Sequence, residues 1–202
     1  MDYKQKYIKY KNKYLELKKQ IGGEFVGKLY ILVGPSGIGK STKAKQITSN
    51  KLNLVCEADK FPNLYKSGLI DFTKLGEAHN FSQTCVENLM KTKSPLIVQS
   101  NTNLDLGDKG MKPYVVLAKK YNYSVHVILP DNNLLFGKRD KLVDTTDKQT
   151  EYIKKLRASG MDGKFVPNNA INRMISAYTS LKPRLQTLTS VQDPNELLKL
   201  LD

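Results

Sequence analysis

The nine residues GPSGIGKST at 34–42 set three glycines, a lysine and two successive hydroxyls in the order that phosphate binding requires. Gly34, Gly37 and Gly39 let backbone amides approach phosphate oxygens, with Pro35, Ser36 and Ile38 supplying the main chain between them. Lys40 is spaced to reach the β- and γ-phosphates of a nucleoside triphosphate. Ser41, followed by Thr42, is spaced to hold Mg²⁺ through its hydroxyl. ATP, or another nucleoside triphosphate, is therefore the expected ligand, with Mg²⁺ as its metal.

A phosphoryl donor implies an acceptor. Transfer to a hydroxyl needs a carboxylate that orients the acceptor oxygen and takes its proton. Asp59, just past the second apolar run, is the candidate; its competing role is that of a turn or helix-capping residue. Asn101, Thr102 and Asn103 follow the third apolar run, where amides and a hydroxyl can grip an acceptor sugar or phosphate without adding negative charge. A plain polar turn is the alternative there. Arg139 and Arg157 are the candidate cationic clamps on the moving phosphoryl group. His79 reads as a structural hydrogen-bonder and His126 as a core or face residue of a strand. The third run ends Val98-Gln99-Ser100-Asn101, without the metal-holding acid of motor ATPases and signalling GTPases, and the guanine-reading N-K-x-D is absent. A small kinase, its metal held mainly by Ser41 and the phosphates, fits better.

The elements that must position these residues alternate between short apolar runs and helix-like stretches. Strands are expected at 29–33, 52–56, 96–99 and 125–129, with helices at 40–49, 77–92 and 111–121, then one entered through 166–169 and running to about 178, and one at 196–201. That rhythm indicates an α/β protein with a parallel sheet of about four or five strands, flanked by helices. In such a sheet the C-terminal strand ends open onto one crevice, so Asp59 and the glycine loop should share it. Residues 131–165 are polar and lysine-rich and end in glycines, a composition suited to a helical lid that would carry both arginines.

The 202 residues carry 33 Lys and Arg against 19 Asp and Glu, a formal charge of +14, which favours a polyanionic partner such as RNA or DNA. The residues ahead of the body, MDYKQKYIKYKNKYLELKKQ, set Tyr3, Tyr7, Tyr10, Tyr14, Leu17 and Ile21 at alternating spacings of four and three, a single helical stripe. A helix packed on the body, a weakly self-associating segment and a basic arm on nucleic acid compete as readings of it. The division expected is a leader over 1–23 and a kinase domain over 24–202. Cys56 and Cys85 support neither a disulfide framework nor a metal site. With no apolar run long enough to span a bilayer and no signal-like start, a soluble cytoplasmic protein is expected.

With these residues assembled, the chain resembles the P-loop polynucleotide 5′-hydroxyl kinases, a zeta-toxin-like group, and within it the kinase-like domains of the NEDD4-binding protein 2 type. The likeness runs from residue 28 to about 180 through GPSGIGKST, EADKFP, GEAHNF, QSNTN, GMKPYVVLAKKYNYSVHV and FVPNNAINRMISAY. It implies a P-loop kinase fold, with Asp59 as the base facing a 5′-hydroxyl and Asn101–Asn103 beside the acceptor. Arg157, nine residues before Val166, would be the lid arginine on the donor phosphates, ahead of Arg139. The chain departs from the group at Lys60, Ser100, Met161 and Lys164-Phe165. The leader resembles segments that precede unrelated proteins of giant DNA viruses such as mimiviruses, which implies a host cytoplasm, a viral factory or a virion. The function expected is ATP-dependent phosphorylation of RNA or DNA 5′ ends in repair. Phosphorylation of a small-molecule hydroxyl and a non-catalytic nucleotide-dependent binding module are the rivals.

Overall fold

The computed structural model describes residues 25–66, 69–129 and 168–202, together with Tyr10. The leader otherwise, the lid over 131–165 and both Arg139 and Arg157 lie outside the described residues, as do Met161, Lys164-Phe165 and Val166-Pro167.

The core is a parallel sheet of β1 (Gly27–Leu32), β2 (Val55–Cys56), β5 (Leu96–Gln99) and β6 (Tyr123–Ile128), in the order β2-β5-β1-β6. β1 lies inside it, paired with β5 on one side and β6 on the other. Its residues alternate between two apolar clusters. Leu29 and Ile31 face one, and Leu32 with the half-buried Tyr30 faces the other. A parallel strand covered on both faces reads as a continuous apolar run, which is why LYIL stands out in the sequence. Gly27 opens β1 where a side chain has no room: a Cβ there would meet the Tyr123 ring at 2.7 Å and two carbonyl oxygens at 2.8 Å.

Helices cover the sheet. α1 (Lys40–Ile47) follows the glycine loop and seats Ala44 against Leu32, Val55 and Val98. α2 (Leu75–Lys91) turns Ala78, Ser82, Val86 and Met90 inward at four-residue spacing, one face of a helix. α3 (Lys112–Tyr121) buries Tyr114, Val115 and Ala118 and ends at Asn122, whose φ of 59° closes the helix in the left-handed region. α4 (Asn168–Thr189) runs well past the expected end near Tyr178 and through Pro183. Leu185 and Leu188, both fully buried, hold its second half on the core despite the backbone bond the proline forgoes. α5 (Pro194–Leu201) is capped by Asp193, whose carboxylate accepts from the Asn195 and Glu196 amides at 2.7 and 3.2 Å, and it buries Leu197 and Leu201. Arg184 of α4 donates to the Leu200 and Leu201 carbonyls, closing the far end.

Three further features depart from the expectations. The second strand is only two residues, because Leu52–Leu54 form a 3₁₀ turn ahead of it. A small antiparallel hairpin, β3 (Tyr65–Lys66) with β4 (Leu69–Ile70), stands between β2 and α2 where no strand was expected. The two cysteines are joined: a Cys56–Cys85 disulfide ties the end of β2 to α2, with Cα atoms 5.7 Å apart. Among the described residues no helix is long and apolar enough to cross a membrane.

Candidate active site

The glycine loop occupies the turn from β1 into α1. Gly34, Gly37 and Gly39 adopt φ of 145°, 85° and 95°, a region that side chains strain to occupy, so the loop depends on glycine at these positions. Gly39 is also the N-cap of α1, where it offers no side-chain acceptor, and no acid stands in the first turn. The helix therefore presents unopposed N–H groups and the positive end of its dipole, a setting that fits an anion. Ser41 and Thr42 sit exposed in that first turn. Lys40 is buried and folds back over the loop, its ammonium donating to the Gly34 and Pro35 carbonyls at 2.8 and 2.7 Å. Burial pulls its pKa down from 10.5 to about 8, against an upward pull from the Asp59 and Glu57 carboxylates.

Asp59 lies in the 3₁₀ turn Ala58–Lys60, directly after β2. It is exposed, and its Oδ1 accepts from the Tyr65 hydroxyl of the hairpin at 3.1 Å. Its charge acts on two groups from opposite parts of the fold, Lys40 in the loop and His79 on α2. Lys60, one of the expected departures, is turned to structure: its ammonium donates to the Leu52 and Val55 carbonyls at 3.2 and 2.6 Å. That contact ties the Asp59 turn to the strand before it and leaves the crevice without a second carboxylate at this position.

The segment after β5 brings the two halves together. Gly34 N–H donates to the Thr102 carbonyl at 3.0 Å, so the glycine loop and the QSNTN turn share a backbone bond. Asn101 and Asn103 are buried, and their amides are engaged by the fold. Asn101 Oδ1 accepts from the Ala58 amide at 2.8 Å, while its Nδ2 donates to Tyr114 Oη at 3.1 Å and Ser82 Oγ at 3.3 Å. Asn103, held at φ 51°, donates to the Leu32 carbonyl at 2.7 Å and to Gln99 Oε1. These two amides position the Asp59 turn and the end of β1. Of the three, Thr102 alone is half-exposed, and both it and Asn103 line a cavity. Ser100 Oγ is buried at the end of β5 with no hydrogen-bond partner among the described residues. Strand alternation puts it on the face of Val98 and Leu96, which α1 covers.

His79 and Tyr65 join Asp59 in ways the sequence did not signal. His79 is half-buried, and burial lowers its pKa against the pull of Asp59, so the ring is neutral at neutral pH. The GEAHNF stretch was the available clue. Tyr65 had none, because the hairpin that turns it back onto Asp59 carries no strong pattern. His126 stacks on Tyr30 at 4.9 Å and lies on a sheet face, as expected of a strand histidine.

Neither a family model nor a curated protein matches the chain. Solved structures do. One is a chain of the Pnkp1/Rnl/Hen1 RNA repair complex, with a TM-score of 0.53 and 18% identity over 82% of this chain. The chain has a P-loop kinase-like fold. It spans about half, 48%, of the length of that matched chain.

Proposed function

We propose that the protein is a kinase that transfers the γ-phosphoryl group of ATP to the 5′-hydroxyl of an RNA or DNA end. The observation that carries the reading is the hydrogen-bonded turn after β5: its Thr102 carbonyl holds Gly34 of the phosphate loop, and its Asn101 Oδ1 holds the Ala58 amide of the Asp59 turn. A buried lysine in a phosphate loop and an exposed carboxylate, brought into one crevice from separate strand ends, supply the two halves of a phosphoryl-transfer site. Two substrates, one anionic at the loop and one hydroxylic at the carboxylate, account for both.

The loop amides and the α1 N-terminus hold the phosphates, and the Lys40 ammonium exchanges the Gly34 and Pro35 carbonyls for phosphate oxygens. Asp59 accepts the proton of the acceptor hydroxyl as that oxygen bonds to the γ-phosphorus and the bond to the ADP oxygen breaks. Tyr65 orients Asp59 for that step by donating its hydroxyl to Oδ1. No group of three or more His, Cys, Asp or Glu that could hold a metal converges among the described residues. A fitting Mg²⁺ donor set is the Ser41 hydroxyl with phosphate oxygens and water, and the orphaned Ser100 hydroxyl is available to that water. Bound there, Mg²⁺ would neutralise charge on the phosphates. Arg157 and, after it, Arg139 are proposed to close over the donor.

The test compares wild type with Asp59→Asn, using γ-labelled ATP and 5′-hydroxyl oligonucleotides, with ATP affinity measured in parallel. Loss of the base should slow transfer at least about 100-fold and leave ATP binding within about threefold. Equal transfer by both proteins would sink the assignment.

A further inference from the structure

Past the C-terminal end of β5 the structure contains a cavity of about 500 Å³, its described walls drawn from three elements. The start of α2 contributes His79, and the turn ahead of it Phe72. The loop after β5 contributes Thr102 and Lys109, and α4 contributes Arg173 and Met174. Its volume suits a nucleotide-sized ligand. Phe72 is 51% exposed, an aromatic ring presented at the rim of a polar cleft. Lys109 and Arg173 are both exposed, and among the described lining residues they outnumber the one carboxylate, Asp105, whose Oδ1 is taken up by the Gly107 amide at 2.8 Å. The cavity also adjoins the reaction centre. His79 in its wall lies in the field of Asp59, and the Thr102 carbonyl holds Gly34 of the phosphate loop.

We propose that this cavity seats the terminal nucleotides of a single-stranded nucleic-acid acceptor, with Phe72 stacking on a base and Lys109 and Arg173 contacting backbone phosphates. The proposal deepens the kinase reading above and rests on it. An aromatic face with flanking cations is how sequence-tolerant binding of single strands is built: every base has a π-face and every linkage a phosphate. A neutral small alcohol would draw on neither. The strand end then points its 5′-hydroxyl at Asp59 while its body runs out between the β5–α3 loop and α4. Specificity would come from the single-stranded form, because a base can stack on Phe72 only when it has left its duplex neighbours.

The experiment measures fluorescence anisotropy of the full chain with a 3′-labelled 5′-hydroxyl oligothymidylate and an oligouridylate over a salt series. A fluorescent ATP analogue is titrated separately. Phe72→Ala should weaken strand binding roughly 10-fold to 100-fold, and Phe72→Trp should restore it, with analogue binding changed by less than about twofold. The pair Lys109→Gln and Arg173→Gln should reduce the slope of log K against log salt by about 1.4. A control pair of equal charge on remote exposed lysines, Lys119→Gln and Lys199→Gln, should leave that slope near wild type. Phe72→Ala binding strands as tightly as wild type, or the control pair lowering the slope as much as the cavity pair, overturns the proposal. Normal phosphorylation of strands by Phe72→Ala, with unchanged strand affinity, would reject the cavity and leave the kinase reading intact. Strand binding that depends on Phe72 without any phosphoryl transfer would reject the kinase reading and keep the cavity.

Discussion

Asn101 makes three hydrogen bonds that no local pattern could reveal, since its partners are the Ala58 amide, Ser82 and Tyr114. In the sequence QSNTN reads as a set of polar groups free to grip an acceptor. In the fold the first asparagine fastens the Asp59 turn to α2 and α3. Asn101→Ala would leave the buried Ala58 N–H without its acceptor and take one hydrogen bond each from Tyr114 and Ser82, at a cost of about 3 kcal/mol. For a chain of this size that predicts a fall in Tm on the order of 10 °C, read by thermal melting. Lys40 gives a second prediction. In the free protein it titrates at about 8 because it is buried. Phosphates favour its charged form, so nucleotide binding above that pH must take up a proton. ATP affinity should hold steady below about pH 8 and then fall up to about tenfold per pH unit above it. Lys40→Arg, charged throughout, should flatten the profile, and an unchanged slope in that variant would reject Lys40 as its source. The placement of the glycine loop and of Asp59 was legible because each follows directly on the end of an apolar strand. Tyr65 and the positioning roles of Asn101 and Asn103 were not, because they depend on partners brought in from other elements.

At the scale of elements, apolar runs located β1, β5 and β6 to within a few residues, since burial on both faces leaves a clear signal. The hairpin β3–β4 escaped notice because each strand has two residues, too few to show a period. α4 passes through Pro183 because a stripe of buried leucines outweighs one lost bond, a balance set by packing rather than by propensity. The Cys56–Cys85 bond joins the strand that leads to Asp59 with the helix that carries His79. Two cysteines 29 residues apart give no hint of pairing; only the packing of α2 against β2 does. Closing a loop of that length stabilises a fold by about 3–4 kcal/mol. Protein prepared without reductant should show no free thiols when denatured, and a dithiol should lower its Tm by about 10 °C. Two free thiols in the untreated protein would contradict the bond.

At the scale of the whole molecule, the +14 charge favours a polyanionic partner in general and does not specify the chemistry. The sheet order explains how that chemistry is assembled. β1 ends at the phosphate loop, its neighbour β5 ends at the turn bonded to that loop, and β2 on the far side of β5 ends at Asp59. The proposed donor and acceptor groups thus line one edge of one sheet, with α4 and the start of α2 forming the wall where the proposed acceptor would lie. The account stands on that edge being a two-substrate site. The most direct measurement incubates the wild-type chain with γ-labelled ATP, Mg²⁺ and unmodified 5′-hydroxyl RNA and DNA strands, then digests the strands to find the label. The account predicts label on the 5′-terminal phosphate of RNA, DNA or both. ATP binding with no label on any strand, or label only on a small alcohol supplied in the same tube, would contradict it.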